Sequence, residues 1–252
     1  GPLVVEAPGG HLAPFEANTA RALLAYVAAH GYQPQLRTTL ATVLWGADAG
    51  PTGLTNLRSA LRRVRNAVVL ADGVTPCLLA ERDTVQLHPD VAIEVDIDAF
   101  EALLRGVEQH AHPALCDCAA CAERQRQAVA LYRGDFLADL DIANEQFEQW
   151  RSSEQHRLRQ QVMRTLANLV EYEMRHGSLE EAERLARHQL ALERWNEEAH
   201  RQLMLALART GQRSAALAQY RRCRRLLLQE LEVEPSAETT ALYEHIKASM
   251  QR

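Results

Sequence analysis

Gly177 and Gly211 lie 34 residues apart, and each is followed five residues later by an alanine, Ala182 and Ala216, and nine residues later by Ala186 and Tyr220. A period of that length, with glycine at the turn between helices and small side chains where antiparallel helices cross, is the pattern of a tetratricopeptide repeat. It commits the second half of the chain to stacked helices. Two repeats do not bury a full solenoid core, so flanking helices must cap them. The helical period indeed runs on from Val95, predicting helices at about 96–110, 119–133, 144–176, 179–193, 196–210, 213–231 and 236–250. At Pro235-Ser236 proline ends one helix and serine caps the next, which suits the last helix for capping.

Before Val95 the pattern changes. A short strand, Leu3 to Glu6, leads through Pro8-Gly9-Gly10 to Leu12. Asn18 or Thr19 caps a helix carrying Ala20, Leu23, Leu24 and Val27, closed by Gly31. Thr38 or Thr39 opens a second helix through Leu40, Val43, Leu44 and Trp45, stopped by Gly46. After an Ala-Asp-Ala-Gly-Pro-Thr-Gly linker a third runs from Leu54 to Val69. Cys77 to Ala80 and Thr84 to Leu87, joined by Glu81-Arg82-Asp83, read as a hairpin. Strand, three helices and hairpin is the order of a winged helix-turn-helix. The expected fold is mainly α, with a winged helix-turn-helix over residues 1–92 and an all-α tetratricopeptide-like domain over 93–252.

The third helix holds the first chemical signal. Leu57, Leu61, Val64 and Val68 form one apolar stripe, leaving Thr55, Arg58, Ser59, Arg62, Arg63 and Arg65 on the other side. Four arginines without an acid suit a helix lying between two rows of phosphates, and arginine also pairs bidentately with guanine. A plainer account is the solvated face of an amphipathic helix, since every cation but Lys247 is arginine. What favours a DNA reader is position: the face belongs to the third helix of a three-helix unit, and the hairpin that follows carries Arg82 at its tip.

Net charge seems to oppose this reading, for 28 Lys+Arg against 33 Asp+Glu leave −5. Up to residue 90, however, 7 arginines meet 7 acids, and beyond it 21 cations meet 26 acids. The acidity belongs to the helical half. A small basic face on a neutral domain fits a sequence-selective reader better than a bulk-charge binder.

His110-Ala-His112-Pro-Ala-Leu-Cys116-Asp-Cys118-Ala-Ala-Cys121 gathers five nitrogen or sulfur ligands in one short segment. Zinc takes four in a tetrahedron. Cys118 and Cys121 are the better-spaced pair, His110 and His112 would close the set, and Cys116 is an alternate or a bystander. No glutamate beside them suggests catalysis, so the ion expected here is structural; the competing account is a polar loop with reduced thiols. The chain asks for no other cofactor.

Five cysteines do not make a disulfide framework, no apolar run approaches the roughly 18 residues of a membrane span, and no signal peptide opens the chain. A cytoplasmic protein with no membrane partner is expected. Gly1-Pro2 reads as a protease-cleavage remnant, which would place the natural start elsewhere. GxxxxGKS/T, GxGxxG, HExxH and GxSxG are all missing, so the sequence offers no support for an enzyme. Asp135, Asp139 and Asp141 read as capping and solvation, and Phe147, Trp150, Tyr172 and Trp195 as packing within the helical array.

Taken whole, the chain resembles the SARP family, the antibiotic regulatory proteins of actinobacteria, and related bacterial transcriptional activator domain proteins. The likeness runs from about Leu12 to Ile246. It rests on residues 22–28 (ALLAYVA), 56–65 (NLRSALRRVR), 131–137 (LYRGDFL), 198–204 (EAHRQLM), 211–220 (GQRSAALAQY) and 233–243 (VEPSAETTALY). The resemblance implies an OmpR-like winged helix whose third helix enters the major groove, followed by an all-helical activator domain. It further implies binding to direct repeats near promoters in double-stranded DNA, self-association there, and recruitment of RNA polymerase. Larger relatives append a signal-transduction ATPase. The histidine and cysteine cluster is not among the family's motifs.

Two readings stay open. In the first, the chain is a transcriptional activator that touches DNA through the third helix and Arg82. In the second, it is a tetratricopeptide-type interaction module of a larger signalling protein, without DNA binding.

Overall fold

The structure is a computed structural model and describes residues 1–7, 10–15, 17–68, 70, 74–111, 114 and 117–249. Expectations placed on Pro8, Gly9, Val69, His112, Cys116 and the last residue of the 236–250 helix lie outside these residues. Packing divides the chain into two compact units, Gly1–Ala102 with Leu131–Leu158, and Leu103–Ala130 with Arg159–Arg252. The chain leaves the first unit after Ala102, returns to it at Leu131, and leaves again after Leu158.

The first unit opens with β1 (Glu6–Ala7) paired antiparallel to β2 (His11–Leu12). Three helices follow: α1 (Asn18–Ala29), α2 (Arg37–Trp45) and α3 (Gly50–Ala67). Between the first two lies β3 (Gln35–Leu36), and after the third the hairpin β4 (Leu78–Ala80) and β5 (Thr84–Leu87). β5 is central, with β4 on one side and β3 on the other, all antiparallel. The hairpin sits where periodicity put it. β3 was not anticipated, since two residues are too few for a period to show, and only the partner strand defines them.

Three helix starts differ from the sequence reading. α1 begins at Asn18 on Ala17, with no side-chain cap, so neither Asn18 nor Thr19 is its cap. α2 begins at Arg37 on Leu36, which makes no side-chain cap, so neither Thr38 nor Thr39 is the cap. α3 begins at Gly50, four residues before the expected Leu54, and places Pro51 in its first turn. Proline is tolerated there because a first-turn amide has no partner within the helix. The expected linker is thus a short 3-10 turn, Ala47–Ala49, and the opening turn of the reader helix.

Packing among α1, α2, α3 and β5 buries Leu23, Leu40, Leu57, Val64, Val85 and Leu87. The same cluster contains Leu137, Leu140, Ile142 and Phe147, with Trp150 against it. Trp150 lies 4.7 Å from the Tyr26 ring, 5.4 Å from Phe136 and 5.3 Å from Phe147. Phe147 and Trp150 were expected inside the helical array; they serve the winged-helix core instead. Asp139, expected to be solvated, pairs with Arg21 and accepts the Leu3 amide at 2.8 Å. Asp135 accepts from the Tyr132 hydroxyl at 3.2 Å.

The remaining helices are α4 (Asp96–Glu108), α5 (Ala119–Leu131), α6 (Glu145–His176), α7 (Leu179–Leu192), α8 (Glu197–Arg209), α9 (Arg213–Leu231) and α10 (Ala237–Ala248). Each lies within two residues or so of its expected span. In the second unit α7 packs on α8, α8 on α9, and α10 on both α8 and α9. Gly177 and Gly211 take φ of 81° and 80°, the left-handed conformation that lets a chain leave one helix and enter the next. Ser178 N–H then reaches back to Glu173 O at 3.0 Å, and Gln212 N–H to Leu207 O at 2.8 Å. These two bonds are themselves 34 residues apart, so the repeat is one of hydrogen bonding as well as of sequence. Ala182, Ala186 and Ala216 are wholly buried, while Tyr220 stacks on Tyr243 at 4.2 Å. Ser236 caps α10 through a bond from the Thr239 amide at 3.3 Å. Among the described residues no helix is long and apolar enough to cross a membrane.

Candidate nucleic-acid interface

α3 buries Gly53, Leu57, Ala60, Val64 and Ala67. Leu61, expected in that stripe, is only half-buried, and Ala60 takes its place because the buried line follows steps of four, three, four and three. The opposite side is as expected: Thr55, Arg58, Ser59, Arg62, Arg63 and Arg65 are all exposed. Thr55 and Ser59 turn their hydroxyls to the carbonyls of Pro51 and Thr55, at 3.2 and 3.3 Å. They therefore keep a small footprint on the face and leave the arginines proud of it. Asn66, also exposed, lies three turns from Thr55 on the same side, and extending the period by one step reveals it.

Arg82 is exposed at the tip between β4 and β5. It lines one depression with Arg58, Leu54 and the residues Leu36, Arg37, Thr38 and Asp83. Arg37 was not anticipated. Its backbone amide donates to Asp83 O at 2.9 Å and its Nε to Glu81 O at 2.9 Å, so the start of α2 and the hairpin tip are tied together. No pattern within one element signals such a residue; it matters because β3 pairs with β5.

Many arginines elsewhere meet a carboxylate: Arg21 with Asp139, Arg126 with Glu173, Arg187 with Glu183, Arg194 with Glu230, Arg224 with Glu234. Others, such as Arg221, Arg222 and Arg225 on α9, are exposed without such a pair among the described residues. Among the described residues no such ion pair reaches Arg58, Arg62, Arg63, Arg65 or Arg82. Their positive charge is directed outward.

The expected metal ligands fall in the second unit. His110 follows the end of α4, Cys118 immediately precedes α5, and Cys121 lies in its first turn. The three come together, with His110 Nδ1 3.5 Å from Cys118 Sγ and 3.2 Å from Cys121 Sγ. His112 and Cys116 lie outside the described residues.

A family model, the bacterial transcriptional activator domain, matches residues 95–247. The regulatory protein DnrI of Streptomyces peucetius is 29% identical over 247 residues, which cover 94% of this chain and 86% of that protein. A solved structure of Mycobacterium tuberculosis EmbR, in complex with a low-affinity phosphopeptide, aligns with a TM-score of 0.73 at 22% identity. That alignment covers 99% of this chain but 64% of the other, so this chain spans less than two thirds of the solved one. At such identity the likeness is one of fold: a winged helix followed by a helical repeat domain.

Proposed function

Because the chain belongs to the bacterial transcriptional activator domain family, whose members are transcriptional regulators and not enzymes, we propose that it reads double-stranded DNA by laying α3 in the major groove. The observation that carries this reading is the exposed face of Thr55, Arg58, Ser59, Arg62, Arg63 and Arg65, with no carboxylate partner among the described residues. A guanidinium engaged by a neighbouring acid must break that pair before it can bind a base or phosphate; these need not. Arg58 and Arg62 lie near the middle of the face and suit base edges, where arginine spans guanine O6 and N7. Arg63 and Arg65 flank it and suit phosphates. Arg82 reaches an adjacent phosphate or minor groove from the hairpin, held in place through Arg37.

Binding to direct repeats near promoters, self-association on them, and contact of the helical unit with RNA polymerase in the cytoplasm complete the proposal. Selection of bound fragments from the source genome tests it and names the target. A gel shift on the selected site should weaken steeply with salt, and Arg58→Ala with Arg62→Ala should abolish the specific shift while leaving the circular dichroism unchanged. Intact binding by the double variant would mean that α3 is not the reader. Absence of salt-sensitive binding at every sequence would leave the repeats as a protein-interaction module.

A further inference from the structure

We propose that His110, Cys118 and Cys121 bind a zinc ion that fastens the end of α4 to the start of α5. The donor atoms of the three lie within 4.8 Å of one another, from segments eight and eleven residues apart in sequence. Zinc bonds of about 2.0 Å to nitrogen and 2.3 Å to sulfur, at the tetrahedral angle, hold N and S about 3.5 Å apart. The separations of 3.5 and 3.2 Å are already close to that.

Hydrogen bonding alone fits the arrangement poorly. A neutral imidazole nitrogen offers one lone pair, and here two thiols approach the same Nδ1. A cation at the centre turns the crowding into coordination, with the proton of the ring on Nε2 and both sulfurs as thiolates. The donor set also selects the metal: two sulfurs and an imidazole suit a borderline-soft ion, and not magnesium or calcium, which take oxygen. Cys121 is wholly buried, whereas Cys118 and His110 are partly exposed. The ion would thus have a rigid inner anchor and a route for loading.

Its task is structural. Arg124 already bridges the two helices by donating to Gly106 O at 3.0 Å, and the ion would clamp the ends of the intervening segment. Three protein ligands leave one tetrahedral position for water or a further side chain. The inference does not depend on DNA binding, because the site lies entirely in the second unit and away from α3 in the chain.

The test uses the full chain, expressed with zinc in the medium and purified without chelator or histidine tag. About one zinc per chain is expected. Cobalt substitution should give the thiolate-to-cobalt charge-transfer band and the strong visible bands of a tetrahedral centre. Cys121→Ser and His110→Ala should each lose the ion while keeping the helical circular dichroism, and chelator should lower the melting temperature of the parent but not of either variant. Fewer than about 0.3 zinc per chain, or full metal retention in both variants, overturns the proposal. If a variant does not fold, the cobalt spectrum of the parent decides, since its charge-transfer band requires cysteine sulfur on the metal.

Discussion

His200 is 1% exposed, with both ring nitrogens engaged: Nε2 donates to Arg194 O at 2.9 Å, and Nδ1 accepts from Gln219 Nε2 at 2.6 Å. Burial pushes its pKa down from 6.5, opposed by the Arg194 carbonyl and reinforced by the charge of Arg222. Above pH 6.5 the ring is neutral in the folded and the unfolded chain alike. Below it the unfolded chain takes up a proton that the folded chain refuses, so stability is lost as pH falls from that value towards the lower folded pKa. Melting temperature should therefore drop as pH falls below about 6.5, and His200→Gln, though less stable at neutral pH, should show a shallower drop. An unchanged slope would assign the acid sensitivity to other groups. The arginines of α3 separate by another measurement. Arg63→Ala and Arg65→Ala should each lower the slope of log affinity against log salt by about 1 and weaken all sites alike. Arg58→Ala and Arg62→Ala should cost about 1–3 kcal/mol each and relax preference at a single base pair.

The repeat helices are the elements most open to reading from sequence, and for a definite reason. Each buries a stripe against its neighbours, so apolar side chains recur every three or four residues, and glycine stands where the chain must turn left-handed. Gly177→Ala and Gly211→Ala put a Cβ on backbone at φ of 81° and 80°, where nothing else lies within 4 Å. The cost is purely conformational, about 1–2 kcal/mol each, and both should lower the thermal midpoint without altering helix content. An equal midpoint would mean the turns rearrange freely. The start of α3 was hidden by the opposite circumstance. Its first turn, Gly50-Pro51-Thr52-Gly53, is built of residues that ordinarily mark a linker, and it is helical because a proline in the first turn loses nothing and Gly53 is buried. β3 carried no signal at all, being two residues long and stabilised by pairing with Val85 and Thr84.

At the scale of the whole molecule, the core of the first unit is not supplied by the first ninety residues alone. Leu140, at 1% exposure, and Phe147, at 0%, complete it from beyond α5, and Asp139 closes on Arg21 and the Leu3 amide. A fragment of residues 1–92 should accordingly melt at lower temperature and with less cooperativity than one of residues 1–158, as scanning calorimetry would register. Equal transitions would show that the returning segment only decorates the domain. Local pattern sufficed for the bodies of the helices, the hairpin and the exposed face of α3, since each depends on residues a few positions apart and on the fixed geometry of helix or strand. What only the tertiary structure decided are the relations between distant residues: Phe147 and Trp150 in the winged-helix core, Arg37 binding the hairpin tip, and the lack of an ion pair at the α3 arginines among the described residues. Periodicity reports which side of an element is buried, but burial against what, and beside which charge, is set by chain segments it does not see.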